Sequence, residues 1–210
     1  FGGVYSPAWA RSGGFARNLS LEVNYYDVKV SDAIAPVDAQ LTLSRCAEEG
    51  DALSCAAITR TPNGLISRIN AQLQNIGGIR TKGFDVTFNY QAPTTSIGNF
   101  GLSANANFLT KYAETFPSAD GFVTTKYQGT TRGFPDQSYP KFKGNAVLDW
   151  QLGDVGASFT GRYIKAVREA DGSRLGNTFY GDVQITLVPA FVSDRLVLTV
   201  GVNNVFNQDP

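Results

Sequence analysis

Seven stretches of the chain alternate apolar and polar residues with a period of two, at positions 19–26, 84–91, 100–109, 142–152, 155–164, 179–188 and 195–203. Successive side chains of an extended strand point to opposite faces, so each stretch predicts a strand with one apolar and one wet face. Phe1 to Tyr5 adds a truncated eighth. The apolar set begins with Leu19, Leu21, Val23 and Tyr25 and continues through Phe84, Phe100, Phe142, Val155, Phe179 and Leu196 at every second residue. No charge falls on it. The opposite set carries Glu22, Asp85, Lys143, Asp149, Arg162, Asp182 and Arg195.

Antiparallel strands of this kind fit two arrangements with opposite consequences. A lipocalin-like barrel or a sandwich turns the apolar face into its core, whereas an outer-membrane barrel turns it toward lipid and keeps the wet face inside. Alternation alone does not choose between them. Link lengths favour the second. The connections 6–18, 27–83, 92–99, 110–141, 153–154, 165–178 and 189–194 alternate long and short after the first. In an up-and-down sheet, alternate links share an end, so one end carries tight turns and the other large loops. Aromatic residues also fall in two bands. Tyr90, Phe100, Trp150 and Phe191 lie toward the tight turns, and Tyr25, Phe84, Phe108, Phe142, Tyr163 and Phe179 toward the loops. Two such girdles mark the interfaces of a bilayer.

Composition narrows the chemistry. Among 210 residues, 18 Lys and Arg balance 18 Asp and Glu, which leaves no basic footprint for nucleic acid. His is absent, and with it the commonest general base and zinc ligand. No G-x-S-x-G elbow, P-loop, dinucleotide fingerprint or EF-hand loop occurs. The sequence therefore predicts no catalytic residue, no cofactor and no metal site.

Three segments carry a family resemblance. Leu19-Ser-Leu-Glu-Val-Asn-Tyr-Tyr-Asp-Val-Lys-Val-Ser-Asp-Ala-Ile34 resembles the strand that enters a large extracellular loop near the C-terminal end of TonB-dependent outer-membrane receptors. Asn75-Ile-Gly-Gly-Ile-Arg-Thr-Lys-Gly-Phe-Asp85 is similar to that family's re-entry into the next strand, and Val202-Asn-Asn-Val-Phe-Asn207 to its motif between the penultimate and last strands. The resemblance implies an all-β, transmembrane, antiparallel up-and-down β-barrel of the 22-stranded type. Residues 1–210 would supply its C-terminal part, about seven strands and a partial one, without the plug domain or the final strand. It implies the Gram-negative outer membrane, with membrane lipid, the remainder of the barrel, the plug and, through the plug, TonB as partners. The function implied is energy-coupled uptake of a scarce nutrient such as a metal chelate, carbohydrate or peptide. The alternatives are a passive porin-type channel, a surface structural or adhesive β-protein, and a soluble β-barrel that binds a small molecule.

Cys46 and Cys55 lie in the longest loop with no His or further Cys to complete a metal site, so a structural disulfide is expected in an extracytoplasmic compartment. Asp38 to Glu49 predicts a short helix with Asp38 as N-cap and Gly50 as its stop. Leu65 to Asn75 fits either a helix or a projecting strand. In the loop 110–141, Phe116, Phe122, Lys126, Tyr127, Arg132 and Phe134 are the ligand-loop candidates, a mixture able to stack on rings or sugars and pair with carboxylates. Among the wet-face charges, Asp149 and Arg162 are expected to approach diagonally across the Gly153-Asp154 turn.

Overall fold

A computed structural model describes residues 1–70, 73–118, 121–133, 136–169, 171–189 and 196–209. In chain order the first elements are β1 (Gly2–Tyr5), α1 (Ala8–Ser12), β2 (Asn18–Pro36), α2 (Ala39–Ser44), a π-helical turn (Arg45–Glu49) and α3 (Ala52–Ala56). There follow β3 (Ile58–Arg60), β4 (Ile66–Ile69), β5 (Leu73–Gln91), β6 (Asn99–Ser118), β7 (Gly121–Lys126), β8 (Thr131–Gly133) and β9 (Asp136–Ser138). The last are β10 (Phe142–Leu152), β11 (Val155–Ile164), β12 (Val167–Arg168), β13 (Arg174–Leu175), β14 (Thr178–Leu187) and β15 (Leu198–Val202). The main sheet runs β1-β2-β5-β6-β10-β11-β14-β15, with β7 added to β6. It is the up-and-down order expected from the sequence, and among the described residues β1 and β15 do not pair to close it.

The chain divides into two compact units. The first comprises residues 1–26, 82–110 and 128–210. Its register stacks like on like: Leu102, Leu148, Phe159, Val183 and Val202 form one row across five strands, and Trp150, Ala157, Ile185 and Val200 form the next. Between them runs a polar row of Gly101, Asp149, Ser158, Gln184 and Gly201. A one-residue slip would invert every face, so this agreement across strands fixes the register.

Much of the apolar rows stays exposed. Leu148 is 50% exposed, Ile185 53% and Val200 74%. Among the described residues the buried apolar side chains are Ala10, Ala16, Val37, Leu41, Ala113 and Val167, none of which belongs to those rows. Burying a Leu or Val is worth about 1.5–3 kcal/mol, and a continuous apolar face left in water forgoes that gain at each position. The polar face, by contrast, bounds a hollow of about 490 Å³ touched by Asn89, Ser103, Asp149, Ser158 and Gln184 from five successive strands. A single hollow reached by five strands lies on the inside of the sheet's curvature. Wet-face residues outnumber the apolar-row members Phe100, Trp150 and Ala157 in its lining, which points to the wet face as the concave one and the apolar face as the convex one, the arrangement expected of a wall with hydrocarbon outside.

Rings band this wall at both ends. At one, Tyr25 meets Phe84 with centroids 5.1 Å apart, Phe142 meets Phe108 at 4.8 Å and Tyr163 at 5.8 Å, and Phe179 meets Phe206 at 5.6 Å. At the other, Trp9, Phe15 and Tyr90 form a chain at 6.1 and 5.8 Å. Their polar atoms find partners nearby: Trp9 Nε1 donates to Tyr5 Oη, Tyr90 Oη to the Phe15 carbonyl, and Trp150 Nε1 to the Ile97 carbonyl. Trp9, Phe15 and Phe206 were not predicted members, because they lie in links outside any alternating run. Phe191 and Arg195 lie outside the described residues.

Two expectations change. β2, β5 and β6 extend well beyond the predicted stretches, to Pro36, back to Leu73 and on to Ser118. Asp149 and Arg162 do not pair. The two-residue turn sets Leu152 opposite Val155, which places Asp149 opposite Ser158 and Arg162 opposite Asn145. Arg162 reaches across its other flank to Asp182 at 2.8 Å.

The second unit comprises residues 27–81 and 111–127. Its local structure follows the predicted signals. The Asp38 side chain accepts the Leu41 N–H at 3.0 Å as N-cap of α2, and Gly50 closes the π-helical turn with φ 65°, a conformation open to glycine without steric cost. Cys46 and Cys55 form the expected disulfide, which ties that turn to α3. The ambiguous stretch from Leu65 is extended: β4 pairs with β3, and β5 begins at Leu73. Residues 71–72 lie outside the described ones.

Candidate functional site

The second unit contains a hollow of about 560 Å³, a size suited to a small-molecule ligand. Lys29, Val30, Ser31 and Asp32 reach it from β2, and Arg45 from the head of the π-helical turn. β5 contributes Gly77 to Arg80, β6 contributes Lys111, Ala113 and Thr115, and β7 contributes Phe122 and Thr124. Gly77 runs tight against its neighbours, since a Cβ there would lie 2.9 Å from Phe116 Cε1 and 3.2 Å from the Ala33 carbonyl. A side chain at Gly77 would have to displace the Phe116 ring. Asp32 holds φ 54°, an uncommon left-handed conformation that Asp tolerates better than most residues.

Its charge is one-sided. Four cationic residues, Lys29, Arg45, Arg80 and Lys111, line it against one carboxylate, Asp32. Arg80 is engaged by a two-pronged pair with Asp27, Nε to Oδ1 at 3.2 Å and Nη2 to Oδ2 at 3.1 Å. Arg45 stands beside Cys46, and its carbonyl accepts the Asp51 N–H at 3.1 Å. The Asp51 carboxylate caps α3, and its hydrogen bonds from Ser54 hold its pKa below the ordinary carboxylate value. The stapled turn thus fixes the backbone from which Arg45 projects.

The six ligand-loop candidates separate in the structure. Phe122 lines the hollow and is 75% exposed. Phe116 sits opposite Val123, and Lys126 opposite Ala113, in the β6–β7 hairpin. The Tyr127 N–H donates to the Tyr112 carbonyl. Arg132 belongs to the first unit, in β8 opposite Gln137. Phe134 lies outside the described residues. Lys29, Arg45, Arg80 and Lys111 were missed because convergence of β2, β5 and β6 depends on long-range pairing, not on any local motif.

On the concave face of the first unit the polar residues form a ladder. Asn107 Nδ2 donates to Asp85 at 2.7 Å, Thr87 Oγ1 to Asn105 at 3.1 Å and Asn24 Nδ2 to Glu22 at 2.6 Å. Asp182 accepts both from Arg162 and from the Asn204 backbone N–H at 2.8 Å. This last bond anchors Val202 to Asn207. Asn204 and Asn207 take φ 53° and 49°, a region in which Asn is enriched, and Asn204 closes onto the Gln208 N–H at 3.0 Å. The resulting turn lays Phe206 against Phe179. Among the described residues no group of His, Cys, Asp or Glu has the geometry to hold a metal.

A family model described as TonB dependent receptor-like, beta-barrel matches residues 10–205. No curated protein matches the chain.

Proposed function

Because the chain belongs to the TonB-dependent receptor β-barrel family, an outer-membrane receptor and transport family of Gram-negative bacteria and not an enzyme family, we propose that it forms part of the wall and ligand loops of a receptor for energised nutrient uptake. The convex apolar face carries this reading, since its exposed rows match a surface made for hydrocarbon. The concave polar ladder would then line the lumen, and the second unit would present the ligand-binding surface. Residues 1–210 read as the C-terminal part of a 22-stranded barrel whose remaining strands and plug complete the partition, because unpaired strand edges in lipid cost several kcal/mol for each unsatisfied backbone group. Energy would reach the ligand through the plug and TonB.

The test is uptake by cells that carry the full chain, measured before and after an uncoupler collapses the proton-motive force. Accumulation of a metal chelate, carbohydrate or peptide against its gradient, lost with the uncoupler, supports the reading. Size-dependent entry indifferent to the uncoupler would replace it with a passive porin-type channel.

A further inference from the structure

We propose that the hollow of the second unit is an anion site for a ligand bearing carboxylate or phosphate groups on a flat apolar ring. The proposal deepens the receptor reading and rests on it for its biological setting. Three observations converge. First, cationic residues from three separate elements, Lys29 on β2, Arg45 on the π-helical turn and Lys111 on β6, line one hollow that holds a single carboxylate, Asp32, while Arg80 is engaged with Asp27. Asp32, and Asp51 whose carboxylate feels the charge of Arg45, oppose these cations only in part, so an added anion is favoured, and charge-assisted hydrogen bonds to carboxylate or phosphate are the strong kind. Second, Phe122 stands 75% exposed at the same hollow, where its ring offers a face for stacking. Third, the site is built and not a chance gathering of mobile chains. The Cys46–Cys55 disulfide secures the turn that starts at Arg45, and Gly77 is held against Phe116 and Ala33.

The disulfide therefore positions a ligand-contacting residue, and its reduction should weaken binding while leaving the barrel assembled.

The full chain, purified in non-ionic detergent, would be titrated calorimetrically with benzene-1,3,5-tricarboxylate and with phenyl phosphate, against the cationic ring benzamidine. Either anion should bind at least about ten-fold more tightly than benzamidine, with the preferred anion showing which acid the site takes. Affinity should fall as salt rises. Lys29→Gln and Lys111→Gln should each weaken the anion about ten-fold or more, the loss of one charge-assisted hydrogen bond. Reduction of the disulfide should lower affinity with the heat-modifiable mobility of the barrel unchanged. Equal binding of benzamidine, or no binding of either anion to the unaltered chain, would overturn the proposal without reference to any variant. Energised uptake that persists in the absence of anion binding would overturn it too, and would leave the receptor reading standing.

Discussion

Phe206 lies over Gly181, so closely that a Cβ at Gly181 would come within 2.9 Å of Phe206 Cδ2 and 3.1 Å of Phe159 Cε2. Gly161 is covered in the same way by Phe179, at 3.2 Å. Glycines on the convex face thus serve as seats for the rings of the girdle, a pairing that restores the packing a glycine lacks. Gly181→Ala should displace Phe206 and destabilise the sheet by about 1–3 kcal/mol, the usual cost of overpacking. Unfolding of the full chain from lipid vesicles by urea would measure it.

Asp182 serves two partners of unequal worth. Arg162, with half its side chain exposed, forms an ion pair of the kind that contributes little, so Arg162→Gln should cost less than about 1 kcal/mol. The Asn204 N–H donates to a charged oxygen at 2.8 Å in a part-buried bond. Asp182→Ala should therefore cost about 1.5–3 kcal/mol, measured in the same unfolding assay. Equal effects of the two substitutions would show that the ion pair, not the turn, is what Asp182 supports.

Asp51 gives the stapled turn a pH dependence. Its pKa is lowered on folding by hydrogen bonds from Ser54, so the carboxylate contributes stability that is fully present above the ordinary value of about 3.9 and is lost as pH falls through the lowered folded value. Amide exchange in α3, corrected for its intrinsic pH dependence, should be constant from pH 7 to pH 5 and accelerate below about pH 4. Asp51→Asn should remove that acid-side change.

Much of this structure was legible because β-barrel walls repeat a simple rule. Tyr25 and Phe84, or Leu148 and Phe159, each stand in a run of period two, and the two-residue link at Gly153-Asp154 fixes the register between the strands of the latter pair. The cap at Asp38, the stop at Gly50 and the Cys46–Cys55 bridge were legible for the same reason, since each acts within a few residues. What failed depended on distant pairing. Past Tyr26 the run Asp27-Val28-Lys29-Val30 moves its apolar residues to even positions, so the continuation of β2 to Pro36 broke the pattern used to find it. The Arg162–Asp182 pair crosses the long link between β11 and β14, which specifies no register by itself. The cations of the second unit are scattered along the chain from Lys29 to Lys111 and meet only once β2, β5 and β6 align.

The orientation of the wall is open to one direct measurement, the paired introduction of arginine at Ala146 and Val147. These neighbours occupy opposite faces of β10, midway between Phe142 and Trp150, with Ala146 opposite Ala104 and Gly161 and Val147 opposite Ser103 and Thr160. With the convex face in lipid, Ala146→Arg should destabilise the full chain in vesicles by about 2–4 kcal/mol, and Val147→Arg, facing the wet interior, by less than about 1 kcal/mol. The reverse order, a tolerated Ala146→Arg beside a disruptive Val147→Arg, would place the apolar face inside and contradict a lipid-facing wall.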